Sequence, residues 1–483
     1  MAVPRKPEIA VIGGGITGLA SAWELAENDD VSVTLLEASQ QVGGKLRISP
    51  VAGVNVDEGA ESMLAIRPEA LRLASAAGLR PSIVHPATRG AQLLSRGALR
   101  ALPPGLVSGV PTDLRALAAS RVLSLPGLLR IPLDQVMGRT YVGEDVSVGA
   151  FLGERLGREV VDRIAEPLLA GVYAGNADEL SLRMANPYLF RLMTRESSLL
   201  NAAKETRTGS AAIAGARQGP VFAGLSGGLG RLPEKLATAL PGRGVRLRTG
   251  AEVTRMRRIR DGWEVFLGEE RLAFDGVVLA APAPASAGLL RTSAPFAAVQ
   301  LQSVDYASVA IVTLAYRSAA LPPLTTSGFL VPPIEGHLIK GVTYSTTKWD
   351  WLARAAKTST RNGLTIIRVS MGRYGDADVL ERDDADLAEL ARIELTALGG
   401  LPLDTVAKRV TRWDRALPQY RVGHVDLVSR AREALQDMPT LALAGAAFDG
   451  VGIPSCIASG ISAARQVSRA VHDQAERRRN AHV

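Results

Sequence analysis

The stretch PEIAVIGGGITGLASAWELAENDDVSVTLLEA constrains the fold of this chain more than any other. Ile9–Ile12 is a short apolar run of strand type, and Gly13, Gly15 and Gly18 make the pattern G-x-G-x-x-G. Ile16–Leu25 has helical periodicity, and Val31–Leu36 is a second strand that ends at Glu37. In such a unit the first glycine allows a tight turn and the second lets a pyrophosphate reach the backbone. The third lets the helix lie close on the sheet. The free N–H groups at the helix start then face the phosphates. An acid at the end of the second strand accepts hydrogen bonds from ribose hydroxyls and repels a 2′-phosphate. A lone glycine pattern says little; one set between two strands and closed by an acid predicts a parallel sheet that holds a dinucleotide.

The next segments choose the dinucleotide. SQQVGGKLR brings a second glycine pair, Gly43-Gly44, followed by Lys45, and DEGAES at Asp57–Ser62 is another small-residue stretch. NAD-binding units need no second pair there. A chain that buries an extended FAD must pass close to its adenosine-diphosphate half and again near its flavin end. FAD is therefore expected rather than NAD.

At 483 residues the chain exceeds one ordinary core, so two or three domains are expected. Its 47% hydrophobic and 22% charged residues belong to a globular protein. A single cysteine, Cys456, excludes an internal disulfide and fits a reducing compartment. No charged-then-apolar leader opens the sequence and no run of 18 apolar residues occurs, so a cytoplasmic protein without a spanning helix is expected. The formal charge of +8 favours an anionic partner. Nucleic acid ranks last among these, because no basic stripe is interleaved with aromatic residues.

Along the rest of the chain, Ile66–Leu79 reads as helix and GAQLLSRGALRALP as a hairpin turning at Arg96–Gly97. Leu106–Asp134 is apolar, dotted with arginines and broken by prolines. Short amphipathic helices on a membrane surface and packed helices of a globular cap both fit it. Helical patterning follows at Val148–Leu156, Glu159–Leu169 and Met184–Glu205, then a small-residue linker at Gly209–Gln218. Pro220–Leu240 reads as strand, glycine turn and helix, with strands at Val245–Leu247, Glu252–Met256, Trp263–Leu267 and Gly276–Ala280. Residues 303–422 are mixed, with a helix at Asp384–Leu398. Near the end GAAFDGVGIPSCIASG feeds another helix, and the charged tail after His472 is expected to fray.

The fold class that results is α/β, α+β overall. A discontinuous Rossmann-like FAD-binding domain takes residues 1–88, 220–300 and 425–483. A mixed-sheet substrate domain takes 89–104 and 301–424, and a helical domain, membrane-contacting on one of the two readings above, takes 105–219. An interleaved FAD domain explains a glycine loop at the end of the chain. Gly450 and Gly452 let the backbone approach the isoalloxazine, and a helix beginning near Pro454 aims its N–H groups at the pyrimidine edge.

Six motifs resemble one family: VIGGGITGLASAWEL, LLEASQQVGGKLR, EPLLAGVYAGNADELSL, LSGGLGRLPEKL, RWDRALPQYRVGH and GVGIPSCIASG. The chain resembles the oxygen-dependent protoporphyrinogen/coproporphyrinogen III oxidases of haem biosynthesis, in the flavin amine oxidase superfamily, and among them the Gram-positive bacterial type. The first two motifs indicate only FAD. Glu166–Leu182 and Leu417–His424 lie outside the FAD segments and are more specific.

The resemblance implies oxidation of coproporphyrinogen III to coproporphyrin III, with O2 as acceptor and H2O2 released. Protoporphyrinogen IX is the alternative substrate. It further implies a product passed to a ferrochelatase and a helical domain that touches membrane in some members. The implied FAD contacts begin with Gly13, Gly14, Gly15, Ile16, Thr17 and Gly18, then Glu37, Ala38, Gly44 and Lys45. They continue through Gly59, Ala60, Glu61 and Ser62 to Val253 and Trp413, and end with Gly445, Val451, Gly452 and Ile453. FAD is noncovalent in this branch, which leaves Cys456 a structural thiol.

A porphyrinogen loses six hydrogens to become aromatic, in three two-electron steps that a flavin can carry. No Ser/His/Asp set, metal-ligand spacing or carboxylate pair stands out, so neither a catalytic side chain nor a metal is expected. His85, His337, His424, His472 and His482 read as structural or exposed. The four propionates of coproporphyrinogen call for cations, and the candidates are Arg67, Arg89, Arg96, Lys340 and Lys348. Tyr173 fits either the face of the macrocycle or ordinary core. Two rivals are an amine oxidase or carotenoid-type desaturase on the same scaffold, and a non-catalytic FAD-binding partner of the haem pathway.

Overall fold

The computed structural model describes residues 5–27, 30–88, 90–213, 220–359 and 363–480, the side chains of 207–213 excepted. The strand Glu8–Ile12 is the centre of a five-stranded, wholly parallel sheet. Its order is Arg246–Arg248, Ser32–Leu36, Glu8–Ile12, Gly276–Leu279, Leu441–Leu443. The strands are apolar on both sides because both sides are covered. Ile9 and Val11 point into one core with the helices Ile16–Leu25, Pro68–Ala76, Arg231–Ala239 and Ile453–Asn480. Ala10 and Ile12 point into a second core with Trp263, Phe274 and the helices Ala283–Leu290, Pro295–Gln302 and His424–Glu433. Three separated stretches of chain thus contribute to one sheet.

The first and last helices meet where side chains are smallest. A Cβ on Gly460 would lie 2.3 Å from the carbonyl oxygen of Thr17, and Ser21 Oγ donates to Gly460 O at 3.0 Å.

A seven-stranded sheet forms the second layer. Its order is Ala407–Pro418, Tyr306–Arg317, Leu364–Met371, Ile339–Tyr344, Gly328–Leu330, Gln92–Ser95, Ala98–Ala101. Its pairs are antiparallel except Gly328–Leu330 with Gln92–Ser95. The expected hairpin is present. Arg96 and Gly97 have φ of 52° and 70°, the left-handed pair of a two-residue turn that suits strand twist. The helix Asp384–Gly399 packs on one face of this sheet, and Trp349 and Leu352 pack on the other.

Short helices between Leu114 and Ile213 enclose a third core around Phe151, Leu156, Ile164 and Leu189. A fully buried ion pair ties it together. Arg155 Nε donates to Asp134 Oδ1 at 2.6 Å, and Asp134 also accepts from Ser198 Oγ and the backbone of Leu199 and Leu200. Among the described residues no helix is long and apolar enough to cross a membrane.

The strand, glycine turn and helix read at Pro220–Leu240 are present, with Phe222–Leu225 lying outside the parallel sheet and pairing antiparallel with Met63–Leu64 and Ile83–Val84. The glycine turn serves packing rather than phosphate: Cβ atoms on Gly228 and Gly230 would strike Ile48. Several local expectations differ from the structure. The strand Glu270–Phe274 was not anticipated, because Glu270 and Arg271 leave it no apolar run. The helix from Leu199 continues to Ile213 through the first part of the expected linker, whose residues 214–218 lie outside the described ones. The tail does not fray at His472; it stays helical to Asn480, where Arg478 donates to Asp261 O at 2.6 Å.

Replacing Gly460 with Ala should force the first and last helices apart. The expected outcome is a loss of about 1–3 kcal/mol, typical of overpacking, read as a lowered Tm in thermal unfolding.

Candidate active site

At the phosphate end each glycine has its own reason. Gly13, at φ +106°, donates to Leu36 O at 2.8 Å, and a Cβ there would lie 2.8 Å from Ala280 O. On Gly18 a Cβ would sit 1.8 Å from Gly13 O. Gly15 is different, since a Cβ there meets nothing within 4 Å. The helix Ile16–Leu25 starts at Gly15 with no side-chain cap and no acid in its first turn, so its N–H groups face that open space. Glu37 is locked beside the turn: Oε2 accepts from Gly14 N at 2.6 Å and Oε1 from Ser39 N at 2.8 Å. Ala38 follows it, exposed. Ala251 N bonds Glu37 O at 2.8 Å, which brings Val253 alongside.

The second glycine pair folds onto the first. Gly43 N donates to Gly14 O at 2.8 Å, and a Cβ on Gly44 would come 3.4 Å from Gly15 Cα. Lys45 keeps open surface although protein surrounds it on most sides, which marks the lining as concave. Burial among those walls lowers its pKa. Open backbone donors, an acid and a cation fit a dinucleotide diphosphate.

The loop near the end of the chain faces the same concavity. Gly445, at φ +128°, donates to Ser459 Oγ at 2.9 Å and lies beside Thr17. Gly450, at φ +118°, precedes Val451, and Gly452 accepts from Cys456 N at 2.9 Å as the helix Ile453–Asn480 begins. A Cβ on Gly452 would meet only Ser455 Oγ at 3.8 Å and Pro454 Cδ at 3.9 Å, ordinary contacts, so packing within the chain does not demand glycine there. Cys456 Sγ donates to Gly450 O at 3.4 Å, and burial pushes its thiol up to about 11 against the pull of Thr17 and Lys45. Both ends of the chain therefore meet at this cysteine.

Of the two motifs outside the nucleotide segments, Leu417–His424 bonds that loop and Glu166–Leu182 packs against Leu417–His424. Tyr420 OH donates to Ala446 O, and His424 Nε2 lies 2.8 Å from Ala447 O. Burial lowers the His424 pKa and raises that of Tyr420 well above 10, so both stay neutral. Tyr173 stands edge-on to Tyr420 with ring centroids 5.6 Å apart. Gln419 Nε2 donates to Tyr173 O at 2.9 Å, and Ser181 N to Tyr420 O at 2.8 Å. His424 is structural, one of the two roles expected for it, whereas Gln419 and Tyr420 went unassigned in the sequence. Their run was visible as a motif, but nothing in it tells which carbonyl each side chain reaches.

The segment Asp57–Ser62 runs beside Lys45. A Cβ on Gly59 would lie 2.2 Å from Lys45 O, and Trp413 Nε1 donates to Glu58 O at 3.1 Å. Ala60 is exposed. Glu61 accepts from Lys348 Nζ at 2.7 Å, Arg368 Nη1 at 2.9 Å and Ser345 Oγ at 2.9 Å. Burial opposes ionisation of Glu61, yet those two cations hold its carboxyl at about 2. Asp57, facing the same Arg368, goes the other way: burial pushes it up to about 7, the nearby charge of Glu61 adding to the effect.

The candidate cations are dispersed. Arg67, exposed, pairs with Glu69 at 2.8 Å. Arg96 sits in the hairpin turn and donates to Arg121 O at 2.8 Å. Lys340 is buried at a β-bulge and donates to Gly372 O at 2.9 Å. Burial, with Arg373 nearby, brings its pKa down to about 7. Lys348 is engaged by Glu61, and Arg89 lies outside the described residues.

The family model for flavin containing amine oxidoreductase matches residues 16–468. Coproporphyrinogen III oxidase of Mycobacterium tuberculosis is 35% identical over 97% of this chain and 98% of its own. The Bacillus subtilis protein of the same name is 32% identical over 95% and 97%. A solved chain from Exiguobacterium sp. 255-15 superposes with TM-score 0.84 at 28% identity, covering 96% of this chain and 99% of that one.

Gly452→Val would fill the open surface at the helix start without disturbing packing. Lower flavin content per purified protein, at a Tm of the flavin-free protein unchanged within about 2 °C, is the expected result.

Proposed function

This chain belongs to the flavin-containing amine oxidoreductase family, in its coproporphyrinogen III oxidase branch, and from that premise we propose that it oxidises coproporphyrinogen III to coproporphyrin III in haem biosynthesis. It is an oxidoreductase that uses a flavin. The overall change removes six hydrogens from the macrocycle and reduces three O2 to three H2O2. The flavin, when bound, supplies the two-electron acceptor between substrate C–H bonds and oxygen.

The rest falls to the chain. Gly13–Gly18, with the open N–H groups of the first helix, holds the diphosphate of FAD, and Glu37 and Ala38 hold the adenosine ribose. Lys45 neutralises phosphate charge. Gly59–Ser62, Val253, Trp413, Gly445 and Val451–Ile453 hold the half that reacts. FAD is bound noncovalently, since the Cys456 thiol is buried, kept protonated and turned onto Gly450 O. The observation that supports the assignment to porphyrinogens is that Leu417–His424 bonds the loop at Ala446 and Ala447 and is itself packed against Glu166–Leu182. Tyr420 and His424 keep that loop in place, and Tyr173 stands edge-on to Tyr420 behind them. No side chain is assigned a proton transfer.

The chain works in the cytoplasm and passes its product to a ferrochelatase, a metal-inserting enzyme. It also touches anionic membrane through the helical region. Leu125, Leu129, Leu133, Val136 and Tyr141 are 69%, 68%, 48%, 81% and 91% exposed there. The same region is tied to the helical core by Arg130, which donates to Glu154 O at 2.6 Å, and by the buried Arg155–Asp134 pair.

Aerobic incubation with coproporphyrinogen III should yield porphyrin fluorescence and three equivalents of peroxide, and no fluorescence would sink the assignment. Protoporphyrinogen IX run in parallel decides the substrate, the expected kcat/KM ratio favouring coproporphyrinogen by about tenfold or more. In co-sedimentation with phosphatidylglycerol vesicles, Leu129→Ser/Val136→Ser should bind at least about fivefold more weakly than the parent, as loss of buried apolar area requires.

A further inference from the structure

The carboxylate of Glu61 joins two parts of the molecule far apart in sequence. It lies in Gly59–Ser62, and its partners all come from the seven-stranded sheet and the turn that follows one of its strands. Lys348 Nζ, Arg368 Nη1 and Ser345 Oγ surround the two oxygens at 2.7, 2.9 and 2.9 Å. The same two cations also reach along the segment. Arg368 Nη2 donates to Gly59 O, and Lys348 Nζ is 3.4 Å from Ser62 Oγ. Little water reaches the cluster, with the side chains of Glu61, Lys348 and Arg368 11%, 16% and 6% exposed. An ion pair so enclosed is costly to break from one side, because the remaining charge stays buried and unpaired.

We propose that Glu61 is a positioning residue for the oxidation: clamped by Lys348 and Arg368, it fixes Gly59–Ser62, the segment that would hold the flavin ring, against the seven-stranded sheet. The inference rests on the assignment of Gly59–Ser62 to the reacting half of FAD. Lys348 then acts through Glu61, not as a ligand of a substrate propionate. The two roles predict opposite kinetics: a clamp governs the approach of donor and acceptor and shows in kcat, whereas a propionate ligand shows in KM.

The test uses the FAD-loaded protein with Glu61→Gln, Lys348→Met, their double variant and Lys348→Arg. Each of the first two should lower kcat roughly tenfold or more while KM for coproporphyrinogen III stays within about twofold. The double variant should be no slower than the slower single one, since both break one interaction. Lys348→Arg should recover most of the loss. Without substrate, the visible circular dichroism of bound flavin should change alike in Glu61→Gln and Lys348→Met. A rise in KM with kcat kept in Lys348→Met, additive losses in the double variant, or an unaltered flavin spectrum would each overturn the clamp. If the parent protein fails to oxidise either porphyrinogen, the functional assignment falls and the spectrum alone decides the clamp. Should Glu61→Gln fail to fold, the Lys348→Met and Lys348→Arg pair still decides by the KM-against-kcat split and the spectrum.

Discussion

The close approach of the first and last helices is the constraint on which the rest depends. Gly460 lies against the Thr17 carbonyl with no room for a side chain, so Ile453–Asn480 runs directly over Ile16–Leu25. That contact carries the loop Gly445–Gly452 to the open face of Gly15. It also places Cys456 between Gly450, Thr17 and Lys45. One dinucleotide can then be held by segments from opposite ends of the chain, each presenting uncapped or glycine-flanked helical N–H groups where negative charge gathers.

Around that joint the protein uses neutral groups on one side and ionic groups on the other. Tyr420 and His424, buried and uncharged, hold the loop by its carbonyls. Glu61, Lys348 and Arg368 hold the opposite segment by charge, tightly enough to keep the Glu61 carboxyl near 2 while Asp57, one step away, is pushed toward 7. Two carboxylates around one guanidinium cannot both be fully compensated in so dry a place, and the one with two cations wins. A lysine read from sequence as a cation for substrate is thereby committed to structure.

Much of the nucleotide half was legible because its signals are local. Gly13, Gly15, Gly18 and Glu37 act within one strand–turn–helix–strand unit, and the Arg96–Gly97 hairpin needs only its own two dihedrals. The strand, glycines and helix at Pro220–Leu240 were legible for the same reason, but not that Phe222–Leu225 pairs outside the parallel sheet or that Ile48 presses on Gly228 and Gly230. The tail beyond His472 looked too charged to stay ordered, and only contacts with Asp261 and Asp275 explain why it does.

By itself the sequence determined a parallel dinucleotide sheet, a glycine loop returning at its far end, and motifs enough to name a family. Those depend on backbone geometry and periodicity over a few residues. The tertiary structure decided which charges remain to meet a ligand. Arg67, Arg96, Lys340 and Lys348 look alike in sequence, yet each is paired differently, with Glu69, Arg121 O, Gly372 O and Glu61. Lys348 meets Glu61 from 287 residues away, and Arg96 and Lys340 meet carbonyls 25 and 32 residues off, so chain crossings that leave no trace in local pattern set those three pairings, while Arg67 pairs with a near neighbour.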